Sequence, residues 1–150
     1  MNSYVDADLR RLVAERAQHL CEYCLIHEED TFFGCQIDHV VSEKHRGKTE
    51  PGNLAYACAF CNRHKGTDIA SVSQRTGRLT ALFNPRTDSW QEHFRLEDAT
   101  IVPLTEVGEV TANILGLDSI ERILERNVLI EAGRYPRPEA LRRGGGGSQI

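Results

Sequence analysis

Cys21-Glu22-Tyr23-Cys24 and Cys58-Ala59-Phe60-Cys61 are the stretches on which the fold turns, and the second runs straight into Asn62-Arg63-His64-Lys65-Gly66. Two Cys-x-x-Cys pairs offer four thiolates, the donor set of a closed tetrahedral zinc site. Spacing within each pair suits two ligands from one knuckle. Between the pairs, 33 residues separate Cys24 from Cys58, more than a simple zinc ribbon needs. Structural zinc on Cys21, Cys24, Cys58 and Cys61 would fasten the two ends of an insert, and that insert contains Asp38-His39. Unrelated buried cysteine pairs, or a redox Cys-x-x-Cys, are the competing readings. Two pairs in so short a chain, each beside polar residues, favour metal. The fifth cysteine, Cys35, lies in an apolar stretch and reads as a small core residue.

Outward from the cysteines, residues 6 to 19 carry Leu9, Leu12, Val13, Ala17 and Leu20 at helical spacing, with Asp6 as N-cap. Phe33, Cys35, Ile37, Val40 and Val41 predict a strand over 32–41 that contains Asp38-His39. A polar loop over 42–52, broken by Gly47, Pro51 and Gly52, leads to a short strand at 54–57. A helix then begins near Cys58–Cys61 and runs to Gly66. Beyond it the pattern predicts a hairpin over 71–83 turning at Thr76-Gly77, a short helix over 88–94 and a strand over 100–104. Two helices follow, over 105–115 and 118–132. The second has Asp118 and Glu121 as a capping box and Gly133 as its stop. The expected organisation is a zinc-bearing core over 1–68, an α+β extension over 69–141 packed on or beside it, and a flexible Gly-rich tail or linker over 142–150.

The chain has 150 residues, 40% hydrophobic and 27% charged, ordinary values for a globular protein. The opening Met1–Asp6 has no basic region followed by an apolar stretch, and no run is long enough to span a bilayer. No membrane partner is expected, the expected location is cytoplasmic, and cysteines there favour metal over disulfides. A net charge of −4 argues against coating nucleic acid by bulk electrostatics. Basic residues are nonetheless gathered locally, at Lys44, Arg46 and Lys48 and at Arg63 and Lys65, enough to grip a short run of phosphates.

The chemistry-bearing residues lie between and just after the cysteines. Asp38 is a hard oxygen ligand for Mg²⁺ or Mn²⁺, and His39 as neutral imidazole can take a proton from water. On a regular strand these neighbours face opposite sides, so one shared site requires the strand to end or bulge there. Asn62 and Lys65, three apart on a helix, share a face, whereas His64 faces elsewhere. His45, with Lys44 and Arg46, is a candidate phosphate contact, or else a solvated loop histidine. His27, His93 and Trp90 read as packing or surface residues. Arg75, Arg78 and Arg86 flank the predicted hairpin, as a wider nucleic-acid surface or a solvated face.

Together, Cys21-Glu22-Tyr23-Cys24, Ile37-Asp38-His39-Val40, Asn53-Leu54 and Cys58 through Gly66 resemble the HNH endonucleases of the His-Me finger group, in their four-cysteine zinc subtype. The resemblance covers roughly residues 12 to 68. It implies an α+β ββα-metal core, two strands and a helix around one divalent ion. It implies His39 as general base, Asp38 and Asn62 as ligands of the catalytic ion, and Asn53 as the residue that steadies the loop and orients the base. Asn62 stands where the family name has its last histidine, which bears on metal preference. The implied activity is metal-dependent hydrolysis of phosphodiester bonds, with DNA the first expectation for substrate and 5′-phosphate and 3′-hydroxyl ends as products. Lys65, Arg63, His45, Lys44 and Arg46 are the expected substrate contacts. Two alternatives stay open: a non-catalytic zinc module that binds nucleic acid or protein, and a nuclease subunit of a defence or toxin system that needs a protein partner.

Overall fold

A computed structural model describes residues 4–143; from 144 onward, the glycine-rich tail placed at 142–150 lies outside the described residues. Helix α1 (Ala7–Arg16) starts where Asp6 accepts from the Leu9 amide at 2.8 Å. It ends earlier than the periodicity predicts, because Gln18 and His19 adopt positive φ. Leu20 therefore lies beyond the helix, bridged to His27, and is fully buried. Leu12 stays 43% exposed, so the buried face of α1 is narrower than its apolar spacing suggests.

The predicted long strand is reduced to β1 (Cys35–His39). Gly34 turns the chain at φ +71, which leaves Phe32 and Phe33 outside the sheet and exposed. β1 pairs antiparallel with β2 (Leu54–Cys58) in the register Cys35↔Cys58, Ile37↔Tyr56, His39↔Leu54. Helix α2 (Ala59–Lys65) begins at once, with Cys58 as its N-cap. The two-strand, one-helix unit is an α+β ββα core.

Beyond α2, β3 (Ala70–Val72) and β4 (Leu79–Ala81) form the expected hairpin, tightened by Gly77 at φ +76. The short helix α3 (Trp90–His93) is followed by a strand that periodicity did not reveal, β5 (Phe94–Glu97), paired with β6 (Thr100–Pro103). Phe-Arg-Leu-Glu carries a two-residue alternation too short to stand out, and the pairing with β6 decides its state. Helices α4 (Glu106–Leu115) and α5 (Ile120–Glu131) match the two predicted ones. The predicted capping box at Asp118 does not form: Ser119 is the N-cap, and Asp118 instead accepts from the Ile101 amide and from Arg126. A last helix, α6 (Pro138–Arg143), was not foreseen.

One hydrophobic core joins the cysteines to the extension. Leu20, Tyr23, Leu25, Ile26, Ala55 and Ala57 pack in the same cluster as Phe83, Trp90, Phe94, Ile101, Leu115 and Leu117. Each fully buried large side chain contributes roughly 1.5–3 kcal/mol. Trp90 adds a directed contact, its indole N–H donating to the Tyr23 carbonyl at 2.9 Å. Gly108 lets α4 approach α3: a Cβ there would lie 2.2 Å from the His93 carbonyl oxygen. A second, smaller cluster of Val13, Ala14, Ala17, Leu54 and Tyr56 seats α1 on the other face of the hairpin, with Cys35 and Ile37 packed against it.

Candidate active site and metal centre

The four Sγ atoms of Cys21, Cys24, Cys58 and Cys61 all lie within 4.8 Å of one another, and all four residues are buried. Zinc–sulfur bonds of about 2.3 Å in a tetrahedron require sulfurs about 3.8 Å apart. Cys24 and Cys58 stand at 3.8 Å. The residues present therefore fit a structural zinc ion. Local backbone builds the donor set: the Cys24 amide points at Cys21 Sγ (3.5 Å) and the Cys61 amide at Cys58 Sγ (3.4 Å). Among the metal-free thiols, hydrogen bonds from Cys21, Cys24 and Cys61 hold the Cys58 pKa far down, while burial pushes that of Cys21 up. Cys35 is half-buried, and burial raises its pKa, as befits a packed thiol.

β1 ends at His39, but Asp38 and His39 both lie within its regular register and keep the opposite faces that a strand gives neighbours. Asp38 points inward, 3% exposed, with Oδ2 accepting from the Tyr23 hydroxyl (2.8 Å) and Oδ1 from Lys65 Nζ (3.2 Å). Burial raises the Asp38 pKa, against the opposing pull of the Lys65 charge and the Tyr23 hydrogen bond. Burial likewise pushes the Tyr23 phenol up, so it remains a donor to the carboxylate. Lys65, expected at the substrate, is 1% exposed and also donates to the His39 carbonyl at 3.0 Å. It braces the strand end from within rather than facing solvent. Tyr23 is the partner that sequence reading missed; its place between two predicted ligands was the available signal.

His39 faces the other way, into an open cleft of about 470 Å³ lined by Ser42, Glu43, Lys44 and Thr67. Its Nε2 is 2.8 Å from Thr49 Oγ1. Asn53 holds the intervening loop with a paired contact: its Oδ1 accepts from the Val41 amide, and its Nδ2 donates to the Val41 and Lys48 carbonyls, all at 2.9 Å. Gly47 makes room for this clamp. A Cβ there would sit 1.6 Å from the Val41 carbonyl oxygen and 2.8 Å from Asn53 Nδ2.

Asn62 lies on the strand-facing side of α2, one turn before Lys65, its Nδ2 donating to Gln36 Oε1 at 2.6 Å. Gln36 and Asp38 share one face of β1, so Asn62 and Asp38 are brought to the same side of the hairpin. His64 turns away and stacks on Phe60, ring centroids 4.0 Å apart. Arg63 is exposed, its guanidinium 5.7 Å from the Phe60 centroid. Lys44, His45 and Arg46 are all exposed in the loop, and of these Lys44 lines the His39 cleft. Arg86 is drawn inward to pair with the buried Glu22 carboxylate. Arg78 pairs with Glu106 at 2.9 Å.

Comparison with protein-family models matches residues 21–68, about a third of the chain, to the HNH endonucleases. Residues 21–68 are an HNH endonuclease domain. The matched segment runs from the first zinc-site cysteine to just past α2 and takes in the whole ββα unit. Nuclease activity and contact with nucleic acid are the general properties of that family. No curated protein and no solved structure matches the chain. No helix among the described residues is long and apolar enough to cross a membrane.

Proposed function

We propose that this chain is a metal-dependent HNH endonuclease that hydrolyses phosphodiester bonds, with DNA as its substrate. The observation that carries the reading is the placement of His39. Its imidazole lines an open cleft beside Lys44 and Thr67, and one ring nitrogen is held by Thr49. In the tautomer where Nε2 carries the hydrogen and donates to Thr49, Nδ1 is the atom left to accept a proton from water. Asn53 and Gly47 keep the loop closed over the strand end, so the imidazole holds one orientation.

Asp38 and Asn62 would hold a divalent ion such as Mg²⁺ or Mn²⁺, whose chemistry when bound is stabilisation of the charge that develops at the scissile phosphate. The donor set, one carboxylate and one amide oxygen, suits a hard cation that keeps water and phosphate in its remaining positions. For Asp38 to serve with His39, it must give up or share the oxygen bonded to Lys65, and the end of β1 must shift so that the two neighbours, which face opposite sides, reach one phosphate. Lys44, His45 and Arg46 on one side and Arg63 on the other would meet the phosphates. The four-cysteine zinc cluster suits a cytoplasmic setting, where thiols stay reduced.

The test is cleavage of labelled duplex DNA, single-stranded DNA and RNA with Mg²⁺, Mn²⁺ or EDTA, for the full chain and for Asp38→Ala and Asn62→Asp. The expected result is cleavage of DNA that EDTA stops and Asp38→Ala abolishes, with a changed metal preference for Asn62→Asp. Binding without cutting under every ion would leave a non-catalytic zinc module, and cutting in EDTA would overturn the metal site.

A further inference from the structure

We propose that Arg122, from α5 in the C-terminal extension, is a working part of the zinc centre, donating through its guanidinium to two of the four thiolates. The proposal rests on the zinc reading of the cysteines. Arg122 Nη2 lies 3.0 Å from Cys24 Sγ, and Nη1 lies 3.6 Å from Cys58 Sγ. One sulfur comes from each Cys-x-x-Cys pair, so the fork spans both knuckles. The guanidinium carbon sits 4.5 Å from the centroid of the Phe60 ring, which belongs to the second knuckle. The side chain is 4% exposed, and among the described residues its carboxylate neighbour is Glu125, which approaches at Nε, 3.4 Å away, and is itself 35% exposed.

A guanidinium removed from water must be compensated by negative charge close by. The sulfurs supply it. Four thiolates around Zn²⁺ carry net negative charge in a site with little water, and Arg122 offsets part of it. N–H donation draws density from sulfur, so a thiolate so bonded competes less well for protons and loses metal less readily. A planar fork can reach two sulfurs at once; a lysine ammonium at the same position can reach one. Arg122 lies 64 positions after Cys58 and outside the matched segment 21–68. The extension therefore does more than cover the HNH unit: it completes the unit's metal centre.

The test uses the full chain with two readouts: transfer of zinc to a chromophoric chelator, and the sulfur-to-cobalt charge-transfer band after Co²⁺ replaces zinc. The variants are Arg122→Gln, Arg122→Lys and, as control, Arg126→Lys, since buried Arg126 donates to the Ala99 and Leu117 carbonyls and to Asp118. Arg122→Gln is expected to release zinc about 10- to 100-fold faster and to move the cobalt band to lower energy. Arg122→Lys should fall between, and Arg126→Lys should leave the band in place. An unshifted band with wild-type release in Arg122→Gln overturns the proposal, as does an equal shift in Arg126→Lys. Should Arg122→Gln not fold, the band of Arg122→Lys against Arg126→Lys decides in the same way. Folded wild-type protein that contains no zinc would instead fail the zinc reading itself.

Discussion

Lys65 Nζ lies 3.2 Å from Asp38 Oδ1, and both side chains are almost wholly buried. The pair ties the C-terminal turn of α2 to the end of β1, and the same ammonium also holds the His39 carbonyl. One contact thus fixes the backbone from which both Asp38 and His39 project. Removing one member of a buried ion pair costs about 3–5 kcal/mol, because the other is left uncompensated. Lys65→Met should therefore destabilise the fold by roughly that amount. Lys65→Met with Asp38→Asn should recover part of the loss. Urea unfolding of both singles and the double closes the cycle, and strictly additive losses would show that the pair is not coupled.

Zinc binding and folding should be one event here. Cys58 is at once one of the four cysteines that could hold zinc, the N-cap of α2 and the residue opposite Cys35 in the hairpin. Cys58→Ser should lower zinc content and melting temperature together, since the binding free energy of a structural zinc is folding free energy. Elemental analysis beside a thermal melt checks this; well-folded wild-type protein without zinc would remove the claim.

His39→Ala should separate chemistry from folding. The imidazole is at the cleft wall and outside the main hydrophobic cluster, so the fold and zinc content should persist. Cleavage should fall roughly 10²- to 10⁴-fold, the usual range for losing a general base. Single-turnover rates on one DNA substrate measure it, and a wild-type rate would exclude His39 as the base.

The Asn53 clamp offers a different signature. Asn53→Ala leaves the Val41 amide and carbonyl without their side-chain partner. A cost of about 1–3 kcal/mol is expected, with loss of activity beyond what the stability change explains. Gly47→Ala should be worse, since its Cβ would overlap the Val41 carbonyl. Denaturant midpoints beside cleavage rates test the pair; an unperturbed Gly47→Ala would mean the loop has another packing.

Acid should loosen the β3–β4 hairpin before the core. Glu109 accepts from Ser73 Oγ (2.6 Å) and the Gln74 amide (2.8 Å), and these bonds, Ser73 first, lower its pKa from 4.5. A depressed carboxyl stabilises the fold above its unfolded value and loses that contribution as pH falls through the folded one. Protection of the Gln74 amide, taken relative to its intrinsic exchange rate at each pH, should fall as the pH drops below the ordinary carboxyl range, and Glu109→Gln should flatten that response. Equal protection in acid and at neutrality would contradict it.

What the sequence determined by itself was local. Two Cys-x-x-Cys spacings set two knuckles, Asp6 capped α1, and Gly77 and Gly133 took the positive φ that their turns require. Asp38-His39, Asn53 and Asn62 stand out as candidates in the sequence because a short motif keeps them within one small ββα unit. Only the tertiary structure decided the contacts between distant segments: Tyr23 and Lys65 on Asp38, Trp90 on the Tyr23 carbonyl, and Arg122 on the sulfurs of Cys24 and Cys58. A side chain's spacing says which way it can point, but not what waits there. Lys65 reads as a surface cation until the chain places a buried carboxylate beneath it. The β5 strand shows the same limit, since its four residues become a strand only when β6 supplies the hydrogen bonds.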